Sequence, residues 1–117
     1  MSKVADYVVI LGGKKDGSAA EDELPFNLPS SVVIGDLSIV TFTYYAFHDP
    51  AHIDIEVNGF GVGWYEFQDI FGTFSRPVSA NVLKPGKNVI RFIATHLGDE
   101  YVSIGLYHVM LTFHKTI

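Results

Sequence analysis

The chain has 117 residues and a mass of 12.9 kDa, which suits one compact domain with its own core. Hydrophobic residues make up 48% of it, so an intrinsically disordered chain is excluded. Eight basic and thirteen acidic residues leave a net charge of −5, which argues against a nucleic-acid partner because phosphates need a basic face. The absence of cysteine excludes disulfides, thiol nucleophiles and thiolate metal sites.

The start of the chain shows no pattern of a signal peptide or a membrane span. Its apolar run, residues 7–11, is too short for either, and no basic segment leads into it. We therefore expect a soluble cytoplasmic protein without a membrane partner.

The pattern along the chain is that of an all-β protein. Aromatic residues make up 14%, and short apolar runs alternate with Gly, Pro, Asn and Asp instead of following a helical stripe. A first strand is predicted over residues 7–11. Residues 14–30 carry four acidic residues and two prolines, and are predicted to form a long acidic loop. A short strand over residues 31–34 and a long central strand over residues 37–47 follow.

The second half of the chain holds the strongest turn signals. Residues 53–57 alternate apolar and acidic side chains, and Asn58-Gly59 then predicts a tight hairpin with positive φ at both residues. Pro85-Gly86 predicts a second tight turn. Further strands are predicted over residues 62–67, 74–80, 88–95 and 101–114. The sequence therefore predicts a single antiparallel β-sandwich domain of about eight strands over residues 1–117.

The hairpin and the second turn together resemble a known family. Val57-Asn58-Gly59, then Val62-Gly63, then Leu83-Lys84-Pro85-Gly86-Lys87-Asn88-Val89-Ile90 resemble the galactose-binding-domain-like jelly rolls, in order and spacing over residues 37–95. Residues 102–111 are similar to the family's last strand. These domains occur as carbohydrate-binding modules and as accessory domains of glycoside hydrolases. The resemblance implies jelly-roll topology, and it implies sugar binding by analogy only, because one fold hosts many functions.

Aromatic side chains are the first candidates for a sugar-binding platform, because the C–H face of a pyranose ring lies well against an aromatic plane. The candidates are Trp64, Tyr65, Tyr44 and Tyr45. Because side chains alternate along a strand, the two members of each adjacent pair must face opposite sides. At least one of each pair is therefore expected in the core, and simple packing is the alternative for all of them.

Three charged residues form the second candidate group. Asp54 and Glu56 point outward from one predicted strand, and Arg91 points outward from another. If these strands share a sheet, the three side chains form a patch that can bind hydroxyl groups by charge-assisted hydrogen bonds; a solvated ion pair is the alternative. The two carboxyls, about 6–7 Å apart, fall within the range of glycosidase pairs, but the sequence indicates no pocket that would make one an acid. We therefore expect no catalysis.

Metal binding has two candidate segments. His48 and His52, with two Asp nearby, carry ligands suited to zinc, nickel or copper, and they are also the residues that a small metalloenzyme would use. Asp16 and Asp22 lie in the acidic segment and carry ligands suited to a structural calcium. Solvated polar loops are the alternative for both segments, so no cofactor is expected.

The sequence thus predicts a non-catalytic, lectin-like module with carbohydrate as its partner. Because a small lectin gains affinity by multivalency, we also expect a homo-oligomer. The alternative is a structural or assembly protein, which would meet copies of itself or a protein partner through its sheet faces and edges.

Overall fold

A computed structural model describes residues 2–17, 21–48, 51–67, 70–78, 81–96 and 102–117. The described residues form eight β-strands and no helix. The strands are β1 (Lys3–Gly17), β2 (Glu21–Leu28), β3 (Ser38–His48), β4 (Ala51–Val57), β5 (Phe60–Phe67), β6 (Ile70–Val78), β7 (Gly86–His96) and β8 (Val102–Thr116). The prediction of an all-β chain is confirmed. No helix in this described part is long and apolar enough to span a membrane.

The strands form two antiparallel sheets of four. Sheet A has the order β1-β8-β3-β6, and sheet B has the order β2-β7-β4-β5. Consecutive strands alternate between the sheets except at the β4–β5 hairpin, where the chain returns within sheet B. This is the predicted jelly-roll topology.

The core lies between the two sheets and contains the inward side chains of both. Phe42 of sheet A is fully buried, and its ring centroid is 5.2 Å from that of Phe92 in sheet B. The predicted alternation of β4 is confirmed, since its apolar side chains are buried and its polar ones are half-exposed. The largest fully buried apolar side chains are Phe42, Phe92, Ile53, Ile55, Ile90 and Leu111.

The prediction of a long loop over residues 14–30 is wrong within the described residues. β1 continues to Gly17 along β8, and β2 pairs with β7 over residues 21–28. The reason is an alternation in β2 that buries Leu24, Phe26 and Leu28. β2 is also the edge strand of sheet B, a position that tolerates the missing N–H of Pro25.

The prediction of a strand over residues 31–34 is also wrong. Its only strand-like pairing in the described chain is a single bridge between Val32 and Lys115. The segment is too short between its flanking breakers to form a strand, and it turns instead, with the N–H of Asp36 donating to the Val33 carbonyl at 3.3 Å. Its Val32 and Ile34 side chains cover one end of the core.

An ion pair connects β8 to β1 near this segment. The ammonium of Lys115 lies 2.7 Å from Asp6 Oδ2, and the N–H of Tyr7 donates to Asp6 Oδ1 at 2.8 Å. The hydrogen bond from Lys115, followed by that from Tyr7, lowers the pKa of the Asp6 carboxyl.

The two predicted turns have the expected backbone. Asn58 has φ 51° and Gly59 has φ 85°, so the hairpin places both central residues in the left-handed region. Gly86 has φ 84°, as the Pro85-Gly86 turn requires.

A buried asparagine joins these turns. Asn88 is 1% exposed, and its amide is hydrogen-bonded to the backbone N–H and carbonyl of Lys84 at 3.0 and 2.7 Å. Its Oδ1 also accepts a hydrogen bond of 2.8 Å from Asn58 Nδ2. The prediction that Asn88 bonds to nearby backbone is confirmed, and the structure adds the link to the hairpin.

Candidate functional site

The outward face of sheet B brings together most of the predicted surface residues. β4 and β7 are neighbours, with Glu56 opposite Arg91, and β5 places Trp64 opposite Asp54 on the other side of β4. Side chains at paired positions point to the same side of a sheet. We call this surface the Trp64 face, and it comprises His52, Asp54, Glu56, Trp64, Glu66 and Arg91.

Trp64 is an exposed aromatic side chain with the His52 ring stacked against it. Trp64 is 61% exposed, and the His52 ring is stacked on it with a centroid distance of 5.4 Å and an interplanar angle of 19°. Two carboxylates flank the imidazole, with Nε2 3.2 Å from Asp54 Oδ1 and Nδ1 3.5 Å from Glu66 Oε1. The carboxylates therefore hold the imidazole in place beside the indole.

A pocket opens beside Trp64. It has a volume of about 450 Å³, and Asp54, Glu56 and Trp64 are among the residues that line it. The pairing of β4 with β5 shifts register between Ile55 and Glu56, and such a bulge bends and twists the strand that contains it. The volume falls within the range of sites for small molecules.

Arg76 lines the same pocket and was not identified from the sequence. It projects from β6 of sheet A, and its Nε donates to the Val62 carbonyl at 2.9 Å. A Cβ atom at Gly63 would collide with the guanidinium, so the glycine makes room for it. The signal that could have identified Arg76 is a charge at an inward position of a strand, which becomes visible only once the strand register is known.

Arg91 joins two strands through ion pairs. Its Nη1 donates to Glu56 Oε1 at 3.1 Å, and its Nε lies 3.6 Å from Glu23 Oε1 on β2. The condition set by the sequence, that the strands of Glu56 and Arg91 share a sheet, is therefore met. This partly buried ion pair restricts where the Glu56 carboxylate can lie.

Two predicted platform residues lie on the other side of their strands. Tyr44 is 2% exposed and belongs to the core. Tyr65 packs against the core, with its ring 6.1 Å from Phe42 and 5.6 Å from Phe74. Strand alternation directs both rings inward, so Tyr44 and Tyr65 are the core members that the sequence led us to expect in each pair, and they do not share a surface with Trp64.

Among the predicted metal ligands, the structure describes only the His52 side chain. Within the described residues, no three His, Asp or Glu side chains come together in a group that could hold a metal ion. The side chains of His48, Asp16 and Asp22 lie outside the described part of the chain, so their predicted role stays a prediction.

Comparisons with known proteins identify the fold. No family model matches the chain, and no curated protein does. The structure is similar to part of dimeric latent PorU from Porphyromonas gingivalis, with a TM-score of 0.77 and 10% identity over 98% of this chain and 13% of that one. It is also similar to the CBM36-1 domain of a multidomain xylanase from the hindgut metagenome of Trinervitermes trinervoides (TM-score 0.55, 10% identity, 97% and 100% covered).

A third similar structure is the C-terminal domain of EclA, a sugar-binding protein, with a TM-score of 0.55 and 9% identity over 95% of this chain and 79% of that one. The chain thus has a β-sandwich fold similar to that of a carbohydrate-binding module, which confirms the fold that the resemblance in the sequence implies. At these identities the likeness shows the fold alone. What the Trp64 face binds has to be argued from its own residues.

Proposed function

We propose that this chain is a non-catalytic carbohydrate-binding module whose ligand lies on the Trp64 face. The observation that carries the proposal is the exposed indole of Trp64, stacked on His52 at the rim of a pocket edged by carboxylates. The exposed part of the indole offers a planar apolar surface to the C–H face of a sugar. Similar structures that are carbohydrate-binding or sugar-binding domains support this choice among the functions the fold can host.

The carboxylates beside the indole supply the polar half of the site. Asp54 is paired with Trp64 in the register of β4 and β5. Glu56 lines the same pocket and forms an ion pair with Arg91. A carboxylate accepts strong hydrogen bonds from hydroxyl groups. A sugar that stacks on Trp64 can therefore donate hydroxyl hydrogen bonds to Asp54 and Glu56.

The charge of the face favours sugars that carry no negative charge. The three carboxylates of the face, together with the neighbouring Glu23 of β2, make four and outnumber the guanidinium groups of Arg91 and Arg76, so the local potential is negative. The four are Glu23, Asp54, Glu56 and Glu66. Neutral sugars and amino sugars are therefore favoured over sulfated or uronic acid sugars.

Binding without hydrolysis fits the partners of the two pocket carboxylates. Glu56 forms an ion pair with Arg91, and Asp54 lies beside His52, so both are surrounded by polar groups. A glycosidase needs one carboxyl in an environment that keeps its proton available for the leaving group.

A flat site binds one sugar chain weakly, so we also propose a homo-oligomer that gains avidity by presenting several such faces.

The single tryptophan makes the proposal directly testable, because fluorescence excited selectively at the indole reports Trp64 rather than the six tyrosines. We expect a saturable change in emission when neutral or amino-sugar oligosaccharides are titrated, and no change with sulfated ones. Trp64→Ala should weaken at least about tenfold the binding that NMR shifts of the Asp54 and Glu56 amides report. Phe60→Ala is the matched control, since Phe60 lies on the same strand and is 60% exposed. Binding at these two amides that is unchanged in Trp64→Ala would contradict the proposal.

A further inference from the structure

The outward face of sheet A carries a separate cluster of aromatic rings. Phe71 is stacked on Tyr45 with a centroid distance of 6.2 Å and an angle of 12°, and both rings contact Tyr107 at 5.7 and 5.8 Å. Phe71 is 61% exposed whereas Tyr45 is buried. The cluster therefore has a fixed base and an exposed rim. We call the surface around it the Tyr107 groove, and it comprises Thr43, Tyr45, Phe71, Thr73, Tyr107 and His108.

A glycine on the neighbouring strand fixes the base of this cluster. Gly105 of β8 lies opposite Tyr45 of β3, and a Cβ atom at Gly105 would collide with the tyrosine ring. The ring therefore lies flat on the glycine backbone, an arrangement by which an aromatic side chain covers a glycine in a sheet.

The backbone of His108 is strained beside the cluster. Its φ is 48°, in the left-handed region that residues other than glycine rarely adopt. The register between β3 and β8 shifts next to it, and such a bulge redirects a side chain. The exposed imidazole is stacked on Tyr107 at 5.8 Å and 22°. Strain of this kind persists where the surrounding structure maintains it, and it is common at ligand sites.

The groove itself has a hydroxyl-bearing floor, and no Asp, Glu, Lys or Arg is among the described residues that line it. Its volume is about 400 Å³, with Thr43, Thr73, Phe71, Tyr107 and His108 lining it. The hydroxyls of Thr43 and Thr73 are 3.0 Å apart, and each can both donate and accept hydrogen bonds. A further cavity of about 320 Å³ adjoins the other side of His108, which continues the groove along the sheet.

We infer that the Tyr107 groove is a second ligand site, which takes an uncharged saccharide independently of the Trp64 face. The rings of Phe71 and Tyr107 form an aromatic wall against which a sugar face can lie, and the threonine hydroxyls exchange hydrogen bonds with sugar hydroxyls. Since the described residues that line the groove include no carboxylate and no basic side chain other than His108, they offer no preference for a charged sugar. This site would stand even if the Trp64 face bound nothing.

The two faces can be tested separately in one protein. Neutral xylo-, cello-, malto- and galacto-oligosaccharides are titrated into ¹⁵N-labelled full chain and followed by NMR, with Trp64 fluorescence recorded in parallel. We expect saturable shifts of the Gly72, Thr73, Gly105 and His108 amides, and we expect them to persist in Trp64→Ala. Phe71→Ala should weaken this binding at least about tenfold, as hot-spot aromatics do.

A second variant of the groove and one control variant complete the test. Thr73→Val retains the shape of the floor and removes one hydroxyl, so it should also weaken binding, while Tyr7→Ala on the same sheet should not. The absence of shifts at these amides with every sugar, or their loss in Trp64→Ala, would overturn the inference. Shifts that depend on protein concentration without sugar would overturn it as well, because they would show that this face contacts another copy of the chain.

Discussion

The two sheets of this sandwich share a core but present different outward faces. The described outward side chains of sheet A include aromatic, aliphatic and hydroxyl-bearing ones, as at Tyr7, Val9, Thr43 and Phe71. Sheet B presents carboxylates paired with Arg91 and His52 around one indole. Since both sheets follow the same alternation, the difference lies only in the outward positions. The core determines the fold, and the outward positions are free to determine what each face binds.

The largest effect on stability is expected at a core residue that packs against both sheets. Phe42→Ala removes a ring that packs against both sheets, and it should lower the free energy of unfolding by about 4 kcal/mol. Urea denaturation measures the loss. Phe71→Ala, on the outward side of the same sheet, is the matched control and should cost about 0.5 kcal/mol or less. Equal losses would show that the exposed cluster is part of the structural core.

A second large effect is expected at the buried asparagine that joins the two turns. Asn88→Ala leaves the Lys84 backbone groups and Asn58 Nδ2 without this partner, which should cost about 3 kcal/mol. Because the turns flank sheet B, we expect hydrogen exchange to quicken in the β4–β5 hairpin before it does in sheet A. Uniform loss of protection across both sheets would contradict this asymmetry.

A pair of glycine substitutions should separate the faces functionally. Gly63→Ala displaces Arg76 from the pocket beside Trp64, and Gly105→Ala displaces Tyr45 from the base of the Tyr107 groove. Each should cost about 1–3 kcal/mol of stability, typical of overpacking. We expect Gly63→Ala to weaken only the binding that Trp64 fluorescence reports, and Gly105→Ala only the binding seen at the sheet A amides. A substitution that affects both sites equally would show that the faces are coupled.

The smallest effect concerns the ion pair at the end of β1. Because Lys115 lowers the pKa of Asp6 in the folded protein, the carboxylate stabilises the fold above its unfolded pKa, and this contribution is lost as pH falls through the folded pKa. Asp6→Asn should therefore lower stability slightly near neutral pH and make no difference in strong acid. Denaturation at both pH values measures this, and a larger difference in acid than at neutral pH would contradict the assignment.

Much of the fold could be predicted because its signals are local. Asn58-Gly59 and Pro85-Gly86 need particular backbone angles that few other residues adopt, and β4 alternates without interruption. β2 was missed although Leu24, Phe26 and Leu28 alternate as clearly. Its acidic residues and Pro25 suggested a loop, because the sequence does not show that this strand lies at a sheet edge, where proline is tolerated.

The candidate site was predictable only within single strands. Asp54, Glu56 and Arg91 were identified because strand alternation places each outward, whereas for Trp64 and Tyr65 alternation shows only that they face opposite sides. Arg76 could not be identified, since it reaches the pocket from the other sheet. The same holds for the Tyr107 groove, which depends on the strained backbone of His108 and on the pairing of Tyr45 with Gly105.

The most direct test of the central claim is an NMR titration of the wild type and Trp64→Ala, followed at the Asp54 and Glu56 amides, with one neutral oligosaccharide that shifts Trp64 fluorescence. The account predicts a measurable Kd at these amides for the wild type and a loss of at least about tenfold in the variant, with its thermal stability unchanged. Equal affinity at these amides in the two proteins, or no shift with any neutral or amino sugar, would contradict the assignment of the Trp64 face as a carbohydrate-binding site.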